Sequence, residues 1–467
     1  LKKNGYKFIS AYFSLTLVDC IKKTKMLRTY RDLNKTQWLT KYHIEDIQIR
    51  RTKKILIHAF ENVPYYRQLF KHRDFNPYRF QHFDDLRILP VLNKKKIRKN
   101  FNLLLAQNAH RFRPRRRQTS GSTAEPLLYY ADELSHSCAW ANNWRAFSMA
   151  GFQVGEPFVL LSGGSLMPRT TPTGQKIYAI MMRMKQLPAY QLDYAKTKFY
   201  IKLLQKYKCA YIFAYPSLIY LLSRYLIKMG KSHSVKFKAI FTTSEVLSHS
   251  QREIIQKAFD CPVYDTYGNN ETSLYAFECE CRQGLHYSME HSYLEVLDSE
   301  GQPCNAGDTG RFIATNLFNY AMPFIRYDTG DLGALSEEEC ACQRGLKKIR
   351  HILGRSRDFV CTPDGKQIHG SFFNHVLFKL FHMNPWIATW HVRQEAINHI
   401  TISLYSDGSP VRKDTEKIKD MLKKTLGHEM KIDFIIDKKP HITPTGKQKL
   451  IESCINEETI RINNSDK

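Results

Sequence analysis

The sequence predicts an α/β protein in two parts: a large N-terminal body of stacked sheets and helices built on parallel strands, and a small mobile α+β unit at the C-terminal end. Three observations lead there. From about Leu192 the apolar residues switch repeatedly between the 3.6-residue period of helices and the two-residue period of strands. Beyond a turn-rich stretch at Gly354–Asp358 the tail carries a strand, helix and strand pattern of its own. The chain has 467 residues, 43% of them hydrophobic and 12% aromatic. At roughly 100–200 residues per domain that suffices for more than one domain, and it excludes a disordered or collagen-like chain. The expected division is 1–354 and 355–467.

The first element is the apolar run Phe8–Ile21, bracketed by Lys2, Lys3 and Lys7 and by Lys22, Lys23 and Lys25. It reads as a helix packed on the body or as one lying in the interface of an anionic membrane. No small-residue cleavage site follows it, and it falls short of a membrane span. The chain starts at Leu1, which leads us to expect a trimmed or partial N-terminus. Next, Leu218, Leu221, Leu222 and Tyr225 mark an amphipathic helix opened by Pro216. Val235, Phe237, Ala239 and Phe241 alternate as a strand. Ser248 and Gln251 form a capping box before the apolar face Ile254, Ile255, Ala258 and Phe259, and Pro262–Tyr264 begins another strand. Helix and strand in turn argue for parallel strands, with ligands beyond their carboxyl ends. In the tail, Ile400, Ile402 and Leu404 alternate, Ile418, Met421, Leu422 and Leu426 mark a helix closed by Gly427, and Ile432, Phe434 and Ile436 alternate again.

With 71 Lys+Arg against 44 Asp+Glu the net charge is +27. The basic clusters, at Arg50–Lys54, Lys94–Lys99, Arg111–Arg117 and Lys347–Arg350, are spread along the chain, and no base-reading module accompanies them. Nucleic acid is therefore a poor expectation, and anionic lipid, an acidic carrier protein or a phosphorylated substrate suits the surface better. The 11 cysteines are odd in number and scattered, which points to a reducing, cytoplasmic setting with free thiols or metal ligands.

Five segments carry candidate chemistry. Gln118–Pro126 is a hydroxyl-rich loop with Gly121, whose side-chain and backbone donors suit oligophosphate, and arginines precede it. Asp265-Thr266-Tyr267-Gly268-Asn269-Asn270-Glu271 follows a strand, with an aromatic for a purine and a carboxylate for Mg²⁺. Arg326–Asp331 places a carboxylate after a glycine turn, where it can accept ribose hydroxyls. Gly354–Asp358 lies at the expected boundary, and Thr443–Lys449 is a glycine-lysine loop in the small unit. Separately, Cys279-Glu280-Cys281, His286 and Cys340-Ala341-Cys342 supply five candidates for a four-coordinate zinc site, with the choice between Cys279 and Cys281 open.

Taken singly each segment is an ordinary turn, but their order and spacing resemble the adenylate-forming superfamily of acyl-CoA synthetases. Within it, His58–Arg67, Asp84–Leu86 with Leu89–Val91, Ala214–Ser217, Thr243–Glu245 and Gln251-Arg252 resemble the phenylacetate-CoA ligase branch and its CapK-like relatives. The resemblance implies a two-step reaction in which ATP and a carboxylic acid give an acyl-adenylate and pyrophosphate, and a thiol, usually of coenzyme A, then displaces AMP. It implies that Thr119, Ser120, Gly121, Ser122 and Thr123 grip phosphates, Tyr267 lines the adenine, Glu271 holds Mg²⁺, Asp331 holds the ribose, and Lys447 bridges carboxylate and α-phosphate. Ser244, Glu245, Asp265, Gly268 and Arg355 complete the nucleotide set, and a hinge near Asp358 swings the small unit. Members of the branch hold a zinc on a Cys, the His of a Gly-Leu-His segment and a later Cys-x-Cys, so the zinc here is expected to be structural.

One departure is chemical. Where the superfamily commonly has Gly-Lys, this loop has Ala124-Glu125, which costs backbone freedom and sets a negative charge near polyphosphate. The competing readings are a CapK-like enzyme of surface-polysaccharide synthesis at the inner face of the membrane, with a carrier-protein thiol or a sugar amine as acceptor, and a non-catalytic nucleotide-binding homologue.

Overall fold

The computed structural model describes residues 14–119, 126–162, 172–188, 194–207, 209–355, 358–370, 372–373, 376–377, 387–406, 412–437 and 447–454. Its centre is an eleven-stranded sheet. One half is parallel, in the order Met184–Pro188, Phe158–Ser162, Tyr211–Ala214, Ala239–Thr242 and Val263–Asn269. The other half is antiparallel and continues through Leu274–Glu278, Leu285–Tyr287, Lys348–Arg355, Tyr327–Ser336, Gly310–Asn316 and Ser292–Leu297. The expectation of parallel strands therefore holds for half the sheet only. Val263–Asn269 is the switch: Val263 to Asp265 pair in parallel with Ile240 to Thr242, while Thr266 to Asn269 pair antiparallel with Leu274 to Phe277. After that strand the connections are too short for crossover helices, which a parallel pair requires.

Both faces of the parallel half are buried, because the two-residue period sends alternate side chains into two cores. Phe158, Leu160, Tyr211, Phe213, Ala239 and Phe241 enter one; Val159, Leu161, Ile212, Ala214 and Ile240 enter the other. The expected strand from Val235 is shorter than the alternation suggested. Val235 and Phe237 precede the strand and share a core with Ile240, on the face opposite Ala239 and Phe241. Helix Pro216–Lys228 begins with Pro216 at its first turn, and helix His249–Phe259 carries the Ser248–Gln251 capping box, as their sequences predicted.

The N-terminal region wraps the antiparallel half. Helix Lys41–Asn62 stops at Val63, which Pro64 holds extended, and Pro64 opens helix Pro64–His72. Tyr66 donates to the Pro323 carbonyl at 3.0 Å and accepts from Ile325 N at 3.1 Å. Within the expected apolar run, 14–22 is helical. Leu15 and Val18 enter the main core, whereas Leu17 and Ile21 are exposed. Residues 8–13 lie outside the described residues. No helix among those described is long and apolar enough to cross a membrane.

The tail forms a four-stranded sheet ordered Lys431–Asp437, His399–Ser406, Ile387–Ala396 and Ile451–Ser453. Helix Arg412–Leu426 packs on it and ends at Gly427, whose φ of +95° suits glycine. Its core of Trp390, Val392, Ile400, Ile402, Leu404, Ile418, Leu422 and Leu426 is a cluster of its own.

Candidate active site

The site is assembled where the parallel strands end. Beyond strand Ala239–Thr242 the backbone takes a left-handed turn at Ser244, φ +71°, a conformation that costs a non-glycine residue energy and recurs at functional sites. The turn brings Glu245 under the start of helix Pro216–Lys228, where Oε2 accepts from Ser217 N at 3.0 Å. Its other oxygen accepts from the backbone N–H of Gln448 at 2.9 Å. Burial pushes the Glu245 carboxyl up, and the two N–H donors and Lys447 oppose that.

From the antiparallel half come Asp331 and Arg355, directly paired across neighbouring strands. Arg355 Nε lies 3.1 Å from Asp331 Oδ1, and Tyr267 donates its hydroxyl to Asp331 Oδ2 at 2.6 Å. Burial, followed by the Asp331 charge, pushes the Tyr267 hydroxyl well above its ordinary value, so it remains a donor. The Glu271 carboxyl, also raised by burial, stands against the charges of Arg355 and Lys94. Lys447 completes the group, its Nζ 5.9 Å from the centre of the Tyr215 ring. Burial and then Arg355 lower the ammonium, while Glu245, Asp331 and Glu271 sustain its charge. Residues hundreds of positions apart thus meet at one charged, sheltered place, the setting in which fixed charges act most strongly on a reacting group.

The other expected residues have the following surroundings. Ser120, Gly121, Ser122 and Thr123, the Ala124-Glu125 departure and Thr443–Gly446 lie outside the described residues. Thr119 closes the base of its loop: Thr119 N donates to Leu127 O and its hydroxyl accepts from Leu127 N, both at 2.9 Å. The arginine run is a hairpin strand, Arg115–Gln118 against Leu128–Ala131. Arg113 and Arg115 face Glu133 at 3.6 and 3.1 Å, which occupies two of the charges expected to serve phosphate. Asp265 bonds within the sheet, accepting from Thr242 Oγ1 at 2.6 Å. Burial and neighbouring Glu278 push its carboxyl up to about 7. Gly268 is exposed, with only Tyr275 within reach of an added Cβ, at 3.6 Å. Arg326 is a structural tie: it grips Glu295 through two nitrogens at 2.9 and 3.1 Å and donates to the carbonyls of Leu86, Arg87 and Leu89.

Sequence reasoning missed three neighbours. Gln448 was read only as part of a loop. Lys94 was one lysine of a charge cluster, and the bridge of Leu92 to Tyr327 carries it toward Glu271. The Tyr327 hydroxyl is buried without a partner beside the charges of Glu271, Arg355 and Asp331. No local pattern marks any of them, since each acquires its place from a distant segment.

At the other end of the same sheet, Cys279, His286, Cys340 and Cys342 bring their ligand atoms within 4.8 Å of one another. Cys279 Sγ lies 3.6 Å from Cys340 Sγ, and Cys342 Sγ lies 3.3 Å from His286 Nε2. His286 Nδ1 faces the Leu346 carbonyl at 3.0 Å, which aims Nε2 into the cluster, an arrangement common behind metal-bound histidines. Such spacings suit a tetrahedral ion with thiolate and imidazole ligands. Of the two alternatives, the geometry brings Cys279 into the group and leaves Cys281 outside the four.

No protein-family model matches the chain. It is 23% identical to protein CapK of Staphylococcus aureus over 86% of this chain and 88% of that protein. It is 26% identical to phenylacetate-coenzyme A ligase of Thermus thermophilus over 69% and 72% of the two. Its fold matches 2-hydroxyisobutyryl-CoA ligase in the postadenylation state at a TM-score of 0.70 and 18% identity, covering 93% of this chain and 94% of the other. Against the same enzyme in its thioesterification state the TM-score is 0.58 at 18% identity, with coverage of 92% and 93%. In sequence the chain is thus similar to protein CapK and to phenylacetate-coenzyme A ligase, and it shares the fold of 2-hydroxyisobutyryl-CoA ligase.

Proposed function

We propose that the chain activates a small carboxylic acid with ATP and passes the acyl group to a thiol, that of coenzyme A. The observation that carries this is the meeting of Lys447 with Glu245, Glu271, Asp331 and Arg355 beyond the strand ends. In the first step a carboxylate oxygen bonds to the α-phosphorus of ATP while the bond to the β-phosphate breaks and pyrophosphate leaves. Negative charge crowds at that point, and the role of Lys447 is to neutralise it and align the two reactants. Asp331, held by Tyr267 and Arg355, accepts the ribose hydroxyls, and the Tyr267 ring lines the adenine. Glu271 is the carboxylate suited to Mg²⁺, which when bound neutralises phosphate charge. In the second step the thiol attacks the acyl carbon and AMP leaves, after the small unit beyond Asp358 turns about that residue and withdraws Lys447, with Arg355 staying on its body strand beside Asp331.

The cysteine cluster holds a structural zinc, since four protein ligands leave no open position for chemistry. The breadth of the similarity to CapK supports a second reading, in which the acceptor is a carrier-protein thiol or a sugar amine in surface-polysaccharide synthesis. Exposed Leu17 and Ile21 beside Lys22 and Lys23 suit contact with an anionic membrane at its cytoplasmic face in that case.

Pyrophosphate release from ATP with a panel of acids, wild type beside Lys447→Ala, tests the reading. The variant should lose about 100- to 1,000-fold in rate, as when a charge-stabilising donor is removed, with nucleotide binding retained. Equal rates would remove Lys447 from the first step, and a wild type inert with every acid would favour a binding protein.

A further inference from the structure

We infer that Glu245 is a positioning residue that sets which half-reaction the enzyme is poised for, by latching the Lys447 segment to the body; this rests on the function proposed above. Its two oxygens take two backbone N–H groups from different parts of the molecule. Ser217 N, at the start of helix Pro216–Lys228, belongs to the body, and Gln448 N belongs to the segment that carries Lys447. Gln448 is itself held on the far side. Its side-chain amide donates to Thr389 Oγ1 and, at 3.2 Å, to the Trp390 carbonyl, and Trp390 is a buried member of the C-terminal core. A continuous set of bonds therefore runs from the body helix through one carboxylate and one glutamine into the small unit, and Lys447 is the residue next to that link.

The arrangement has the properties a releasable catch needs. Hydrogen bonds to a carboxylate are stronger than neutral ones, so the contact is worth making. The Ser217 bond does not depend on the small unit, so Glu245 keeps one donor and the positive end of a helix when Gln448 departs. What Glu245 gives up on release, among the described residues, is the Gln448 backbone bond and the neighbouring Lys447 charge. Ser244, immediately before Glu245, holds the left-handed conformation at φ +71°. Glu245 touches no reacting atom in this role; it places the residue that does.

The test uses Glu245→Gln in the full chain, because an amide can accept from only one of the two N–H groups through its oxygen. Acyl-adenylate formation is followed by pyrophosphate exchange with phenylacetate, and thiol transfer by supplying phenylacetyl-adenylate and coenzyme A. The expected result is an adenylation kcat about tenfold to a hundredfold lower, with a loss in thiol transfer at least about fivefold smaller than that in adenylation. Parallel losses in both half-reactions, or none in adenylation, would overturn the latch. Hydrogen exchange provides a reading independent of turnover: peptides containing Gln448 should exchange faster in the variant while those over Ile400–Leu404 do not. If phenylacetate and every other acid leave the wild type inert yet exchange responds as expected, the catalytic reading fails and the latch stands; unchanged exchange removes the latch whatever the activity.

Discussion

The two ends of the central sheet hold polar clusters of opposite design. At one end Cys279, His286, Cys340 and Cys342 all come from the antiparallel half of the body, on neighbouring strands and the turn between them. At the other end Asp331, Arg355, Tyr267 and Glu245 come from the body, but Lys447 and Gln448 come from the segment leading into the C-terminal sheet. A cluster drawn from one continuous region can hold that region together and nothing else. One shared between two units can be taken apart without unfolding either, which is what a reaction in two steps with two sets of neighbours requires.

The largest effect should come from the closed cluster. Purified protein should contain about one zinc per chain, and removing it with a strong chelator, or substituting His286→Ala, should lower the thermal midpoint sharply. The binding free energy of a structural zinc, about 10 kcal/mol in small peptides, bounds the loss from above. A metal-free protein of full stability would leave the comparison without its closed member. At the shared site the effects should be on rate and binding, with stability little changed. Tyr267→Phe removes the hydroxyl bonded to Asp331 and should raise the KM for ATP about tenfold with kcat near wild type, the cost of one hydrogen bond to a charged group. A fall in kcat alone would place Tyr267 in the chemical step.

The smallest effect concerns a second body-only network. Arg145 and Glu290 form a fully buried pair at 2.9 Å, Asn142 joins them, and His291 Nδ1 lies 3.0 Å from Asn142 Nδ2. Burial lowers the His291 imidazole to about 3. Below its ordinary value of about 6.5 the unfolded chain takes up a proton that the folded one refuses. Stability must then fall as pH drops from about 6 toward 4, by at most about 1.4 kcal/mol per pH unit from this group. In His291→Gln that slope should flatten in chemical denaturation, while adenylation keeps its pH profile. A slope unchanged by the substitution would show that other groups carry the acid sensitivity.

How much of this was legible beforehand depends on how far apart the partners are in the chain. The capping box at Ser248, the helix start at Pro216, the stop at Gly427 and the alternation of Ile400, Ile402 and Leu404 involve residues within a few positions of one another. Such signals are complete in the sequence, as are the residue types of the motifs, including Lys447, Asp331, Glu271 and the two Cys-x-Cys pairs. The tertiary structure alone decided that the sheet turns antiparallel after Val263–Asn269 and that Val235 and Phe237 face away from Ala239 and Phe241. It also grouped Cys279 with His286, Cys340 and Cys342, tied Arg326 to Glu295, bonded Thr119 to Leu127, and set Gln448 against Glu245. Each of those outcomes is a pairing between segments remote in the chain. Its free energy depends on what the rest of the fold brings alongside, and no window of neighbouring residues contains that information.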